Sequence, residues 1–454
     1  MNENSGLLFS LADECCSYFN RSFPSVVMKE AEITVVDFLA SLLYGVDSKS
    51  YSLLKNYGEL LDTGDEEVIG FHKKFSLNDA AFIYSVLAHS MEIDDIHLGT
   101  AGFHPGVTII PASLLKAKEV GASGEELLKS IIIGYEVSGR IGKSISPSHR
   151  YKGFHATGTI GVFGSAAATA YLEKLKPEKF ASALTIAASQ AGGTFAFLSG
   201  GVDVKYLHAG NAVVTGLKSV MLAKAGFVGP FQMLESEQGF ANAYSNEHNL
   251  SSVTKPFGSE FEIQNLFRKQ YFFCGHIFPA VDAIKCINLK DLKIEEIKEI
   301  NIYTYKAAAV LNDATPRTME EAKFSIPYVV SSFILYGKLV NIFEDSSLRT
   351  ELEKISKLVR VEHNEEYTTE FPNYRKTKVE VFLHGGTQKE ANVLMPKGSP
   401  VNPLSITEVT DKLVAALDLY EGNGNDLLTT VKGLKQLTSV ESLLKLVNNK
   451  KAKK

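Results

Sequence analysis

Three carboxylates and three imidazoles fall within residues 89–106, read as His89-Ser90-Met91-Glu92-Ile93-Asp94-Asp95-Ile96-His97-Leu98-Gly99, then residues 100–103, then His104-Pro105-Gly106. Acid/base chemistry calls for such groups on a turn at a pocket mouth, because loop side chains reach a substrate more readily than helical ones packed in a core. The stretch follows a helical pattern and ends in Pro-Gly, where a regular helix does not readily continue. A solvated helix end with a charged cap would carry the same residue types.

Further along, His155, Lys205 and His208 each stand at an expected loop–helix junction followed by small residues. Helix starts attract anions through unpaired N–H groups and the helix dipole. Thr157-Gly158-Thr159 and His208-Ala209-Gly210-Asn211 both read as such starts. Imidazoles that move protons near neutral pH, beside a lysine that holds a carboxylate, suit elimination next to a carboxylate. Each residue also has a plainer reading: His155 or His208 as a satisfied helix cap, Lys205 as an exposed cation.

Other chemistries lack their signatures. There is no GxGxxG after a strand, no GxxxxGK[ST], no HExxH and no GxSxG, since Phe163-Gly164-Ser165-Ala166 lacks the second glycine. His97, His104, Asp94 and Asp95 are metal-donor types, but their spacing matches no standard site and no metal is expected. Cys15, Cys16, Cys274 and Cys286 form no CxxC pair, which leaves reduced thiols as the simplest account. Cys274 and His276 are the only near Cys–His pair, and they read more simply as core.

The elements that must position these groups are mostly helices. Apolar residues recur at helical spacing over residues 30–44, 77–91 and 107–120. Ser123-Gly124-Glu125-Glu126 is a capping box before a helix over 127–141, where Gly134 and Gly139 allow another helix to approach. Helices are expected over 162–172, over 178–190 behind Pro177, and over 211–225 ended by Gly226. Gly192-Gly193 and Gly200-Gly201 bracket a loop leading to Lys205.

After about residue 272 alternation appears at 300–305, 358–361 and 379–383, the last running into the turn His384-Gly385-Gly386. Residues 319–336 read as a helix interrupted or bent at Pro327, and 347–356 as another helix. Helices return over 406–419 and from 427. The fold class is therefore mainly α. Residues 1–268 and 396–454 form a discontinuous helical domain, and 269–395 a smaller α+β domain inserted as a lid.

With 45% hydrophobic and 22% charged residues and a net charge of −5, the 454-residue chain gives no electrostatic case for nucleic acid or an anionic membrane. The basic run at 450–454 reads as a frayed end. No secretory signal or membrane span is found in the sequence, and a cytoplasmic protein is expected.

On these residues the chain resembles the MmgE/PrpD family, which includes 2-methylcitrate dehydratase and cis-aconitate decarboxylase. The likeness rests on residues 89–99 with His104-Pro105, on Gly153-Phe154-His155 through Gly161 to Ala168, and on residues 205–212. Glu320-Glu321-Ala322-Lys323-Phe324-Ser325 and residues 398–404 complete it. The resemblance implies a homodimer, a large helical domain with an α+β lid, a site in the cleft between them, and cofactor-independent chemistry on small di- and tricarboxylates. By position, it implies His104 for proton transfer, His155 as a second active-site histidine and Lys205 as a carboxylate-binding lysine. Glu92, Asp94, His97, His208 and His276 are expected to contact substrate.

The chain also departs from the family pattern. Asp-Phe-Asp-Asp-Thr is replaced by Glu92-Ile93-Asp94-Asp95-Ile96. The lid histidine falls at Phe278, two residues from His276, and the lid tyrosine of the decarboxylase falls at Val310. Polar contacts made apolar shift specificity by orders of magnitude. The expected activity is a lyase, dehydrating first and decarboxylating second. The alternatives are an epimerase using the same site and an inactive binding protein of the same fold.

Overall fold

The computed structural model describes residues 6–200, 202–258, 260–287, 294–343, 345–421, 424–451 and 453. Gly201, and Ala452 and Lys454 of the basic run, lie outside the described residues. The chain divides into two compact units. The first takes in the chain up to Phe197, Asp203–Arg268 and the residues from Ser405 on.

Its helices are α1 (Leu7–Ser17), α2 (Ser25–Gly45), α3 (Lys49–Glu59), α4 (Leu77–Ser90), α5 (Gly106–Glu119), α6 (Gly124–Ile145), α7 (Ser148–Tyr151), α8 (Ala156–Thr159), α9 (Gly161–Leu172), α10 (Pro177–Ala188), α11 (Asp203–Ala225) and α12 (Phe240–Tyr244). All twelve residues of α9 are buried. A helix apolar or small on every face belongs in a core, and α5, α6, α10 and α11 surround it. The capping box forms as expected: Ser123 accepts from the Glu126 amide while Glu126 accepts from the Ser123 amide.

Gly134 of α6 gives α5 and α9 their close approach. A Cβ there would stand 2.7 Å from Ile109 Cγ2 and 2.9 Å from the Gly164 carbonyl oxygen. Gly134→Ala is therefore expected to destabilise by about 1–3 kcal/mol through overpacking, despite alanine's better helix propensity. Urea unfolding checks this, and an unchanged midpoint would contradict it. What approaches Gly139 is the His97 side chain and that of Glu262, which opens a single 3-10 turn over residues 262–264, and not another α-helix.

Three further expectations are corrected. Helix α11 begins at Asp203, eight residues before the expected start, so Lys205 and His208 lie inside it. Its inner face packs on α4 and α9, and that burial outweighs the weak propensity of His208-Ala209-Gly210-Asn211. Residues 89–106 are no solvated cap: His89, Glu92 and His97 are fully buried, and Asp94, Asp95 and His104 nearly so. The first unit also holds a short antiparallel ladder, β1 (Ile96–His97) on β2 (Leu266–Phe267).

The second unit comprises Leu198–Val202 and Lys269–Leu404. It contains α13 (Phe278–Cys286), β3 (Ile297–Thr304), α14 (Lys306–Ala309), α15 (Met319–Ala322), α16 (Ile326–Tyr336), α17 (Arg349–Ser356), β4 (Val359–His363), α18 (Glu365–Glu370), β5 (Thr377–Leu383) and β6 (Gln388–Val393). The strands form one sheet in the order β4-β3-β5-β6, with β3 and β4 parallel and the other pairs antiparallel. Ile300, Ile302, Val379 and Val381 are buried, and α13 lies against β5 and β6. Of the two alternatives at Pro327, the helix is interrupted and not bent. Pro327 occupies the first turn of α16, where its missing N–H costs nothing, and α15 ends four residues before α16 begins.

The first unit is completed by α19 (Ile406–Leu417), α20 (Asn425–Lys432) and α21 (Glu441–Asn448), with α19 packed on α2. Among the described residues no helix is long and apolar enough to cross a membrane.

Candidate active site

The loop between α4 and α5 carries the chemistry. His89, at the C-terminal end of α4, places Nδ1 2.9 Å from Asp94 Oδ2 in hydrogen-bond geometry. His104 Nδ1 lies 2.8 Å from the same oxygen. The two rings meet edge to face with centroids 4.7 Å apart. His89 Nε2 has no hydrogen-bond partner among the described residues. The hydrogen bond to Asp94 holds a proton on His89 Nδ1 and leaves Nε2 as its reactive nitrogen, while His104 stands in close charge contact with the same oxygen.

His155, the residue before α8, stacks over His89 at 6.3 Å and is enclosed edge-on by Phe195 at 5.1 Å and Phe197 at 5.4 Å. Its Nδ1 lies 3.0 Å from Nδ1 of His208. Lys205, in the first turn of α11, forms a buried ion pair with Glu92. Glu92 adopts φ +56°, a left-handed conformation unusual for a non-glycine residue. Tyr206 sets its ring edge-on to His89 at 5.5 Å.

The loop is pinned from behind. Asp95 accepts from the Gly106 amide at 2.9 Å and the Tyr135 hydroxyl at 2.7 Å. Lys412 of α19 donates to the Ile93 carbonyl at 2.6 Å and pairs with Asp37 of α2 at 2.8 Å.

This arrangement can be compared with known proteins. Residues 10–252 match the MmgE/PrpD N-terminal domain, and residues 271–429 the MmgE/PrpD C-terminal domain. The chain belongs to the MmgE/PrpD family. Its relatives include cis-aconitate decarboxylase of Aspergillus terreus, 24% identical over 98% of this chain and 97% of the relative. The human cis-aconitate decarboxylase is 26% identical over 93% of this chain and 87% of its own length. The mouse enzyme of that name is 25% identical, covering 93% and 89%. Family and relatives together make the chain a lyase of the carboxy-lyase or hydro-lyase kind.

In this MmgE/PrpD protein, His104, His155, Lys205, Glu92, Asp94 and His208 all come together in the first unit. His97 does not join them: its Nε2 is 3.0 Å from Glu262, which Lys143 also contacts. His276 belongs to the second unit, where Nδ1 bonds the Tyr305 hydroxyl at 2.8 Å. Phe278 is a core residue there, 4.6 Å from the Phe273 ring. Ile96 is taken up by the β1–β2 ladder opposite Phe267. The expected anion-binding helix starts are not formed, because α8 is a single turn and His208 is interior to α11.

His89, Asp94 and His104 are the described residues whose metal-donor atoms approach within 4.8 Å of one another. His89 donates one hydrogen bond to the Asp94 oxygen, and His104 adds a charge contact to it. His89 stands outside the site residues expected from the sequence; its position five residues before Asp94, at a helix end, is the signal that points to it.

Burial lowers the affinity of His89 for a proton, and burial with the nearby Lys205 charge holds His155 well below the ordinary imidazole range. His208 is brought down to about 4, again chiefly by burial. These imidazoles rest neutral near pH 7 and are bases in that state. Burial pushes the Asp95 carboxyl the other way, from 3.8 up to about 7.

Between those two values the folded protein keeps a proton that the unfolded chain has released, so this group makes stability fall as pH rises from about 4 to 7. Asp95→Asn removes the effect. Its melting temperature relative to the parent should therefore improve between about pH 5 and pH 8. A difference that stays flat across that range would contradict this.

Proposed function

We propose that the chain is a cofactor-independent lyase acting on a small di- or tricarboxylic acid, working as a homodimer in the cytoplasm. The observation that carries this reading is the single Asp94 oxygen set against both His89 and His104, beside the buried Lys205–Glu92 pair. The names of the relatives support decarboxylation as the leading reaction. His104 and His155 are assigned to proton transfer, and Lys205 to a substrate carboxylate that exchanges with or joins Glu92.

In decarboxylation the carbon–carbon bond to one carboxylate breaks and carbon dioxide leaves. The electron pair left behind is delocalised toward a second carboxylate held by Lys205, then takes a proton from His104, which must enter the cycle protonated. Dehydration is the second reading, favoured by the neutral His155, which is suited to removing a proton next to a carboxylate. Hydroxide then leaves with a proton from the other histidine.

The departures at Glu92, Ile96, Phe278 and Val310 argue for a substrate other than the two best known in the family. Proton NMR in deuterated buffer tests the reading on 2-methylcitrate, citrate, cis-aconitate and smaller hydroxy- and amino-dicarboxylates. A vinylic signal that appears or is lost supports a lyase, and itaconate from cis-aconitate supports decarboxylation. Deuterium entering a substrate without net conversion would replace the lyase with an epimerase. Silence across the panel would oppose the proposed substrate class.

A further inference from the structure

Two neutral imidazoles cannot face each other Nδ1 to Nδ1 in the same tautomer. At the 3.0 Å separation of His155 and His208, one nitrogen must carry the proton and the other must offer its lone pair. The tautomers of the two rings are therefore locked in opposition, and each ring turns its Nε2 away from the shared bond.

The surroundings of the two rings differ. His155 is 1% exposed and walled by Phe195 and Phe197, and His89 lies over it. His208 is only partly buried. Its place is fixed by the helix: it lies one turn after Lys205 on α11, and a Cβ added at Gly158 of α8 would stand 3.1 Å from the Cβ of His208. The inner ring is closed off from water, and the outer one is not.

We propose that His208 is a positioning and relay residue that carries protons between His155 and solvent. The inference rests on the reading of His155 as a proton-transfer group. When His155 Nε2 takes a proton from substrate carbon, its Nδ1–H passes to Nδ1 of His208, and His208 gives up Nε2–H to water. One N–H bond breaks at each ring as one forms, and the net change is a proton moved from substrate to water. Run backward, the sequence delivers a proton from water to the substrate side and restores the first pair of tautomers. A walled imidazole could otherwise exchange its proton only with substrate, and each turnover would wait on an opening of the site.

Two measurements on the full chain test this. Nitrogen-15 NMR of histidine-labelled protein, assigned with His155 and His208 variants, should show the two rings as opposite tautomers sharing one strongly downfield proton. Two Nε2–H tautomers with no shared proton would overturn the relay, whether or not a substrate is known. On a substrate from the NMR panel, His208→Ala should lower kcat about tenfold or more at low buffer with little change in KM. Added imidazole should restore it.

His208→Asn places an amide where Nδ1 was, so it keeps a hydrogen bond to His155 but cannot relay. It should stay slow. Full activity in His208→Asn, or a loss in His208→Ala that imidazole leaves untouched, would mean that His208 only props up His155. If the parent protein turns over nothing in the panel, the functional reading fails, and the NMR result still decides the relay.

Discussion

Replacing His104 by alanine is expected to lower turnover about 10²–10⁴-fold, the usual range for a lost proton-transfer group. The reason lies in its setting. Its Nδ1 lies 2.8 Å from the Asp94 oxygen that also holds His89, which sets the ring beside a charged group. The substitution leaves His89 still bonded to Asp94 at 2.9 Å and the Lys205–Glu92 pair untouched. Folding should survive, because Asp95 and Lys412 hold the loop through separate contacts. Steady-state kinetics with thermal unfolding on the same sample checks both halves. Unchanged kcat would remove His104 from the mechanism, and loss of folding would show the ring to be structural.

The largest effect on stability is expected at Lys412. Both members of the Lys412–Asp37 pair are buried, and the same ammonium donates to the Ile93 carbonyl. Lys412→Ala leaves a carboxylate and a carbonyl buried without that cation, and should cost about 3–5 kcal/mol. The double variant Lys412→Met with Asp37→Leu should cost much less, because exchanging a whole buried pair for apolar groups is often close to neutral. Urea unfolding of the three variants gives the comparison. A loss below about 1 kcal/mol in Lys412→Ala would mean that water reaches the pair. Lys412→Ala should also lose activity below its unfolding temperature, since Ile93 lies between Glu92 and Asp94.

Much of this architecture is written in local signals. The Ser123 capping box, the periodic run behind α4 and the alternation around Ile300 and Val379 each depend on neighbours a few residues apart. Where distant partners decide, the sequence is silent. Glu262 lies 165 residues from His97 and takes that histidine out of the site. Lys205 and His208 were expected before a helix because glycine and asparagine follow them, but packing of α11 against α4 and α9 extends the helix across them. Whether the charged loop is solvated stays open on the sequence, because a count of carboxylates does not show that Glu92, Asp94 and Asp95 each find a buried partner. His104, His155 and Lys205 were legible as chemistry; Asp94 as the shared hinge between two imidazoles was not.

The contact from Lys412 to Ile93 also sets an order of events in synthesis. The loop that carries Glu92 and Asp94 leaves the ribosome early, yet its tether comes 319 residues later. A nascent chain can fold α4, α5 and α6 around one another with Asp95 already held by Gly106 and Tyr135 while Ile93 still lacks its tether. Competence for chemistry should then arrive abruptly, once α19 has cleared the exit tunnel and docked on α2. Stalled or prematurely ended chains would carry every catalytic histidine and still be inert.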